Sequence, residues 1–196
     1  LGMKVAIVER ESLGGICLNW GCIPTKALLK SAQVFEYLSH AEDYGITVKD
    51  SSADFNKIVD RSRGVATKMS NGISYLMKKN KIDVIMGTGK LASPTELEVT
   101  DDKGATSKVS GKNIIIATGA RSRELPNLPK DGKKIIGYRE AMTLPQLPKK
   151  MVVVGSGAIG SEFAYFYQTL GTEVTLIEYL PNIVPVEDED VSKQLG

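Results

Sequence analysis

The chain's only two cysteines, Cys17 and Cys22, lie together in Gly14-Gly15-Ile16-Cys17-Leu18-Asn19-Trp20-Gly21-Cys22-Ile23-Pro24-Thr25-Lys26. Ile23-Pro24 predicts a helix entered with proline at its first position, where the missing N–H costs nothing. Cys22 then stands at the positive end of the helix dipole with Lys26 nearby, a setting that favours a thiolate, which is both nucleophile and electron donor. A disulfide closing so small a ring constrains little of the unfolded chain, so a redox role accounts for the pair better than a stabilising one. Zinc would need four ligands, and two cysteines with the single distant histidine, His40, do not supply them. A disulfide framework of a secreted domain would carry more cysteines in a chain of this length. Inert thiols are the plain alternative. His40, near the end of the same helical stretch, reads as a solvated or dipole-compensating residue.

A second dense signal is Met151-Val152-Val153-Val154-Gly155-Ser156-Gly157-Ala158-Ile159-Gly160. A short apolar run of this kind suits a buried parallel strand, and Gly-x-Gly-x-x-Gly follows it at once. The three glycines serve a tight turn, close approach of a pyrophosphate to backbone N–H groups, and close packing of helix on strand. Residues 162–170 supply the helix, Gly171 its C-terminal stop, and Val174 to Ile177 a second strand ending in Glu178. An acid there accepts hydrogen bonds from a ribose 2′-hydroxyl, so Glu178 favours NAD over NADP.

The segment from Leu170 to Tyr179 reads position for position like the segment from Leu1 to Arg10, pairing Glu178 with Glu9. By analogy, about 20 residues carrying a first strand and its own glycine turn are expected before Leu1, and Glu9 becomes the ribose-binding acid of the first copy.

Gly-Gly-x-Cys-x-Asn-x-Gly-Cys-Ile-Pro-Thr-Lys closely resembles the redox-active segment of the FAD-dependent pyridine nucleotide–disulfide oxidoreductases, and the resemblance runs through nearly the whole chain. It implies an α/β fold of two Rossmann-like dinucleotide-binding domains, FAD then NAD, both incomplete here. Residues 1–147 would form the FAD-binding domain without its first strand and glycine turn, and 148–196 the first half of the NAD-binding domain. Cys17 is implied to exchange with a substrate dithiol and Cys22 to contact the flavin. Glu9, Gly14, Gly15, Gly89, Thr118 and Gly119 are implied on the FAD side. On the NAD side stand Gly155, Ser156, Gly157, Ala158, Ile159, Gly160 and Glu178. Lys26 is implied to reach the flavin and pair with Glu162. The implied reaction is oxidation of a protein-bound dihydrolipoyl dithiol with NAD⁺. The implied partners are the lipoyl-bearing protein of a 2-oxoacid dehydrogenase or glycine cleavage complex, and a second copy of the protein joined through a C-terminal domain that would also supply the catalytic base. Glutathione, trypanothione and mercuric reductases share the cysteine pattern but normally use NADP. A silent dinucleotide-binding module and a thiol switch without hydride transfer are the other readings.

The remaining residues set the elements that must hold these groups. Helical periodicity runs from Pro24 to about Ser39 and from Asp54, a candidate N-cap, to about Lys79, with Gly64 and Gly72 as points of weakness. Short strands are expected at Ile82 to Met86, Gly89 to Ala92, Glu96 to Thr100 and Lys108 to Val109, with a buried strand at Asn113 to Ala117 leading into Thr118-Gly119. Leu144 to Lys150, with two prolines and two lysines, reads as a stiff, solvated passage between domains, and Asp188-Glu189-Asp190 as a helix start. With 196 residues and 42% hydrophobic content the chain can bury a substantial core. A net charge of +2 gives no footprint for nucleic acid or acidic membranes. No apolar run is long enough to span a bilayer, and the first residues do not form a secretory signal, so a cytoplasmic location is expected.

Overall fold

The computed structural model describes residues 2–196; Leu1, the first position of the repeat, lies outside them. The chain divides into two compact units, Leu1–Asn19 with Ala66–Arg121, and Trp20–Val65 with Ser122–Gly196.

In the first unit β1 (Ala6–Glu9) pairs in parallel with β2 (Asp83–Met86), Ala6 opposite Asp83 and Glu9 opposite Met86. An antiparallel meander follows: β3 (Thr88–Ser93), β4 (Glu96–Thr100) and β5 (Thr106–Ser110). Gly87 joins the two sheets at φ +153°, and a Cβ there would meet the Thr100 carbonyl oxygen at 2.7 Å, so glycine is required. Asp101 closes the β4–β5 turn by accepting the N–H groups of Lys103 and Ala105.

In the second unit β6 (Lys150–Val154) and β7 (Glu173–Ile177) pair in parallel, and α5 (Ala158–Thr169) connects them. This is the strand–turn–helix–strand unit read from the glycine pattern, but β6 is not the buried strand expected: Val152 and Val154 are 61% and 50% exposed, because among the described residues only β7 pairs with it. Gly171 ends α5 at φ +102°, donating to the Gln168 carbonyl while Thr172 N–H reaches that of Tyr167, the paired bonds of a Schellman stop. Phe163, Phe166 and Tyr167 of α5 pack with Leu28 and Ala32 of α2 (Cys22–Ser39), with Phe55 and Val59 at the start of α3 (Phe55–Lys79), and with Met142. Phe166, Tyr167, Leu28 and Met142 are almost wholly buried, each stabilising by roughly 1.5–3 kcal/mol through removal of apolar surface from water. Asp188 N-caps α6 (Glu189–Leu195) in position, with Glu189 and Asp190 in its first turn.

The fold class is α/β, as expected, but some local expectations need correction. Pro24 is the third residue of α2, not the first: Cys22 starts the helix and Gly21 precedes it as N-cap. Proline still fits, because N–H groups of the first turn have no intrahelical partner. Cys17 lies in a short helix of its own, α1 (Gly15–Trp20). Asn113 to Ala117 is not a strand; Ile115 and Ile116 are 89% and 69% exposed. An extended run becomes a strand only by pairing its backbone groups, and no strand among the described residues lies beside it. Leu144 and Leu147 pack against the core instead of lying in a solvated tether. Elsewhere α3 runs unbroken through Gly64 and Gly72, and Asp54 caps it by accepting the Lys57 N–H.

Candidate functional site

Cys17 and Cys22 are both disulfide-bonded, leaving no free cysteine. Cys22 is the first helical residue of the 18-residue α2, whose N-cap, Gly21, offers no side-chain acceptor. The N–H groups of that first turn have no partner within the helix, so the positive end of the dipole faces the sulfur that a reduced Cys22 would expose as thiolate. Two side chains fix the turn. Ser62 Oγ, fully buried, donates to the Pro24 carbonyl at 2.9 Å, and the Arg61 guanidinium donates to the Ala27 carbonyl at 2.7 Å. On the Cys17 side, Asn19 is buried and its amide donates to the carbonyls of Leu13 and Gly15, both at 2.9 Å, while Ser70 Oγ donates to the Leu13 carbonyl. These bonds hold the turn in which Gly14 and Gly15 take φ +97° and +66°.

One turn into α2, Lys26 forms an ion pair with Glu162 of α5. The lysine is 62% exposed and the glutamate 28%, so solvent screens the attraction and the pair contributes little to folding. Its effect is to hold two charged side chains of two helix starts in one place. His40 ends α2, exposed, its Nδ1 within 3.0 Å of Ser39 Oγ.

The nucleotide-type turn is built around a glycine pair. A Cβ on Gly160 would lie 1.9 Å from the Gly155 carbonyl oxygen, whereas Gly157, the N-cap of α5, has open space and no side-chain cap above it. Ala158 and Ile159 form the first turn of α5, so their N–H groups lie among those without intrahelical partners. A phosphate fits there, since neither side chain nor cap competes for the donors. Glu178 follows β7 directly. Its Oε1 accepts the N–H groups of Tyr179 and Leu180, and its Oε2 those of Ser156 N–H and Oγ–H at 2.8 and 2.7 Å. These donors, led by the Leu180 N–H and then Ser156, lower its pKa to about 2.

The first copy of the repeat resembles the second only in part. Glu9 is the last residue of β1, its carboxylate accepts the N–H groups of Glu11 and Ser12, and its carbonyl accepts the Gly87 N–H at 2.8 Å; Ile177, which corresponds to Val8 and not to Glu9, accepts the Gly155 N–H at the same distance. Gly89 lies against β1, where a Cβ would stand 3.2 Å from Val8 Cγ1. A concavity whose lining includes Arg10, Gly87, Thr88 and Asp101 adjoins these residues in sequence. Thr118 and Gly119, the latter at φ +73°, lie in an exposed segment outside any strand. The sequence reading assigned no role to Asn19, Arg61, Ser62, Arg10 or Thr88. Only Asn19 stood inside a recognisable motif; Ser62 and Arg61 act across helices distant in sequence.

A strand, glycine turn, helix and second strand followed by an acid, accompanied by a cystine at a helix start, are the parts from which dinucleotide-binding disulfide oxidoreductases are built. Residues 1–196 match the family described as pyridine nucleotide-disulphide oxidoreductase, and the chain belongs to that family. Its members are enzymes that use FAD and NAD. Among curated relatives, dihydrolipoyl dehydrogenase of Zymomonas mobilis is 51% identical over 192 residues, covering 98% of this chain and 41% of the relative. A dihydrolipoyl dehydrogenase of Bacillus subtilis is 40% identical over 203 residues, covering 100% and 43%. The chain thus spans about two fifths of the length of these relatives. The crystal structure of LpdA from Mycobacterium tuberculosis superposes with a TM-score of 0.90 at 28% identity, covering 99% of this chain and 43% of that one. No helix among the described residues is long and apolar enough to cross a membrane.

Proposed function

We propose that the whole protein is a dihydrolipoyl dehydrogenase, oxidising protein-bound dihydrolipoamide with NAD⁺ as acceptor. The observation that carries this reading is the cystine of Cys17 and Cys22 at the uncapped start of α2, supported by the names of relatives up to 51% identical. A thiolate of the dihydrolipoyl group attacks Cys17 Sγ, breaking the Cys17–Cys22 bond and leaving Cys22 as thiolate. The second substrate thiol, after losing its proton, displaces Cys17 from the mixed disulfide. The products are a lipoyl disulfide and two reduced cysteines, so two electrons have moved into the chain. FAD, when bound, supplies the relay from this dithiol to NAD⁺.

In this reading Glu9, Gly14, Gly15, Gly89, Thr118 and Gly119 hold FAD, with the Arg10 and Thr88 concavity near its adenosine end. Gly155 to Gly160 and Glu178 hold NAD, and the Lys26–Glu162 pair couples charge at the flavin to the nicotinamide side. The division into 1–147 and 148–196 follows the same assignment. The partners are the lipoyl-bearing protein of a 2-oxoacid dehydrogenase or glycine cleavage complex and a second copy of the protein, in the cytoplasm. Stopped-flow spectra of the whole FAD-loaded protein test the proposal. Dihydrolipoamide should generate a long-wavelength thiolate-to-flavin band that NAD⁺ abolishes. Reduction by NADPH with glutathione as the turned-over disulfide, and no response to dihydrolipoamide, would replace this reading with a glutathione reductase-type one.

A further inference from the structure

Ser156, the middle residue between Gly155 and Gly157, has no exposed surface, and its polar groups are all engaged. Its N–H and Oγ–H both donate to Glu178 Oε2, at 2.8 and 2.7 Å; its Oγ accepts the Val184 N–H at 3.0 Å; its carbonyl accepts Ser161 Oγ–H at 2.9 Å. Val184 is buried at φ +43°, a conformation that a β-branched side chain resists. Its N–H keeps that place by bonding the serine oxygen, and its carbonyl accepts Ser192 Oγ–H at 3.4 Å. One hydroxyl therefore ties the acid at the end of β7 to the loop that follows it.

Four donors of this chain meet the Glu178 carboxylate, two on each oxygen. We propose that Ser156 is a positioning residue that determines nucleotide specificity: its hydroxyl pins the Glu178 carboxylate beside the glycine turn, so that the acid does not swing away from a 2′-phosphate. The inference rests on the reading of Glu178 as the nucleotide-selecting acid. A mobile carboxylate could relieve the repulsion by rotating into solvent, whereas a pinned one keeps the like charge in place. Without the hydroxyl, Glu178 loses one of two donors on Oε2, and the Val184 N–H loses its acceptor.

Dissociation constants for NAD⁺ and NADP⁺, measured calorimetrically on the whole FAD-loaded protein, test this in Ser156→Ala, Glu178→Gln and the double variant. Losing a hydrogen bond to a charged group should narrow the NAD⁺/NADP⁺ affinity ratio about tenfold in Ser156→Ala, with no further narrowing when Glu178 is already Gln. Carbon-13 titration of Glu178 in the unliganded protein gives a second readout: its midpoint should rise in Ser156→Ala. An unchanged ratio and midpoint in Ser156→Ala, with a narrowed ratio in Glu178→Gln, overturns the inference and leaves the nucleotide reading standing. An unchanged ratio in Glu178→Gln removes that reading and the inference with it. Should Ser156→Ala not fold, Ser156→Gly removes the same hydroxyl. Independently of any variant, an ordinary carboxylate midpoint for Glu178 in the wild-type protein overturns the clasp.

Discussion

The carbonyl oxygen of Gly155 fills the space a side chain on Gly160 would need, since a Cβ there would come within 1.9 Å of it. The start of α5 lies this close to the end of β6 because the turn between them is only three residues long. Gly160→Ala must push the helix off the turn, at a cost of about 1–3 kcal/mol. Gly157→Ala meets open space at φ −61° and should cost less, up to about 1 kcal/mol, because alanine is a poorer N-cap than glycine. Thermal melts of the two variants check this. Equal losses at both positions would show that the helix can shift freely at the turn.

The helix start at Cys22 makes the two thiols unequal. In the whole FAD-loaded protein, Cys17→Ser should keep a thiolate at residue 22 with its long-wavelength band, because the positive end of the α2 dipole favours the charged form there. Cys22→Ser should remove the band. Spectra of both variants near pH 7 decide the assignment, and equal behaviour would overturn it.

The parts of the structure legible in the sequence are those governed by short-range rules. The glycine turn, the Schellman stop at Gly171, the Asp54 cap, the helix start at Asp188 and the strand Glu96–Thr100 each depend on residues a few positions apart. The repeat was legible in part: Glu9 is the last residue of β1 and Glu178 stands just past β7, and each carboxylate accepts backbone N–H groups that follow it within three residues. Asn113 to Ala117 was not, because an apolar run specifies a strand only where a neighbour pairs with it. The supports of the cysteine helix were equally hidden. Ser62 is 38 positions from the carbonyl it holds, and nothing in its local sequence distinguishes it from a solvated serine of a surface helix.

Tyr167, fully buried, donates through its hydroxyl to the Ala141 carbonyl at 2.5 Å, and burial raises its pKa well above the ordinary value. Tyr167→Phe keeps the ring packing with Phe163 and Phe166 but leaves that carbonyl without this donor. A loss of about 1–2 kcal/mol in denaturant titrations is expected, with nucleotide affinity unchanged. A neutral result would mean that water reaches the Ala141 carbonyl.

The Lys26–Glu162 pair separates stability from function. Because Lys26 is largely exposed, a double-mutant cycle with Lys26→Met and Glu162→Gln should give a folding coupling below about 1 kcal/mol. Its influence on the proposed redox site acts through charge, so the same cycle should show coupling in the flavin reduction potential of the whole protein. A folding coupling above about 2 kcal/mol, with no coupling in potential, would make the pair a structural clamp.

Glu178 predicts a stability that depends on pH. Its folded pKa of about 2 lies below the ordinary 4.5, held down by the N–H groups of Leu180, Ser156 and Tyr179 and by the Ser156 hydroxyl. A group depressed on folding stabilises the native state fully above its unfolded pKa and loses that contribution as pH falls through the folded one. The stability difference between wild type and Glu178→Gln should therefore stay level from pH 7 to about 5, then shrink as pH falls below about 4.5 toward 2. Denaturant midpoints taken at intervals across that range measure it directly. A difference that persists undiminished at pH 3 would mean that Glu178 titrates alike in both states, and that the four donors around it place the carboxylate without favouring its charge.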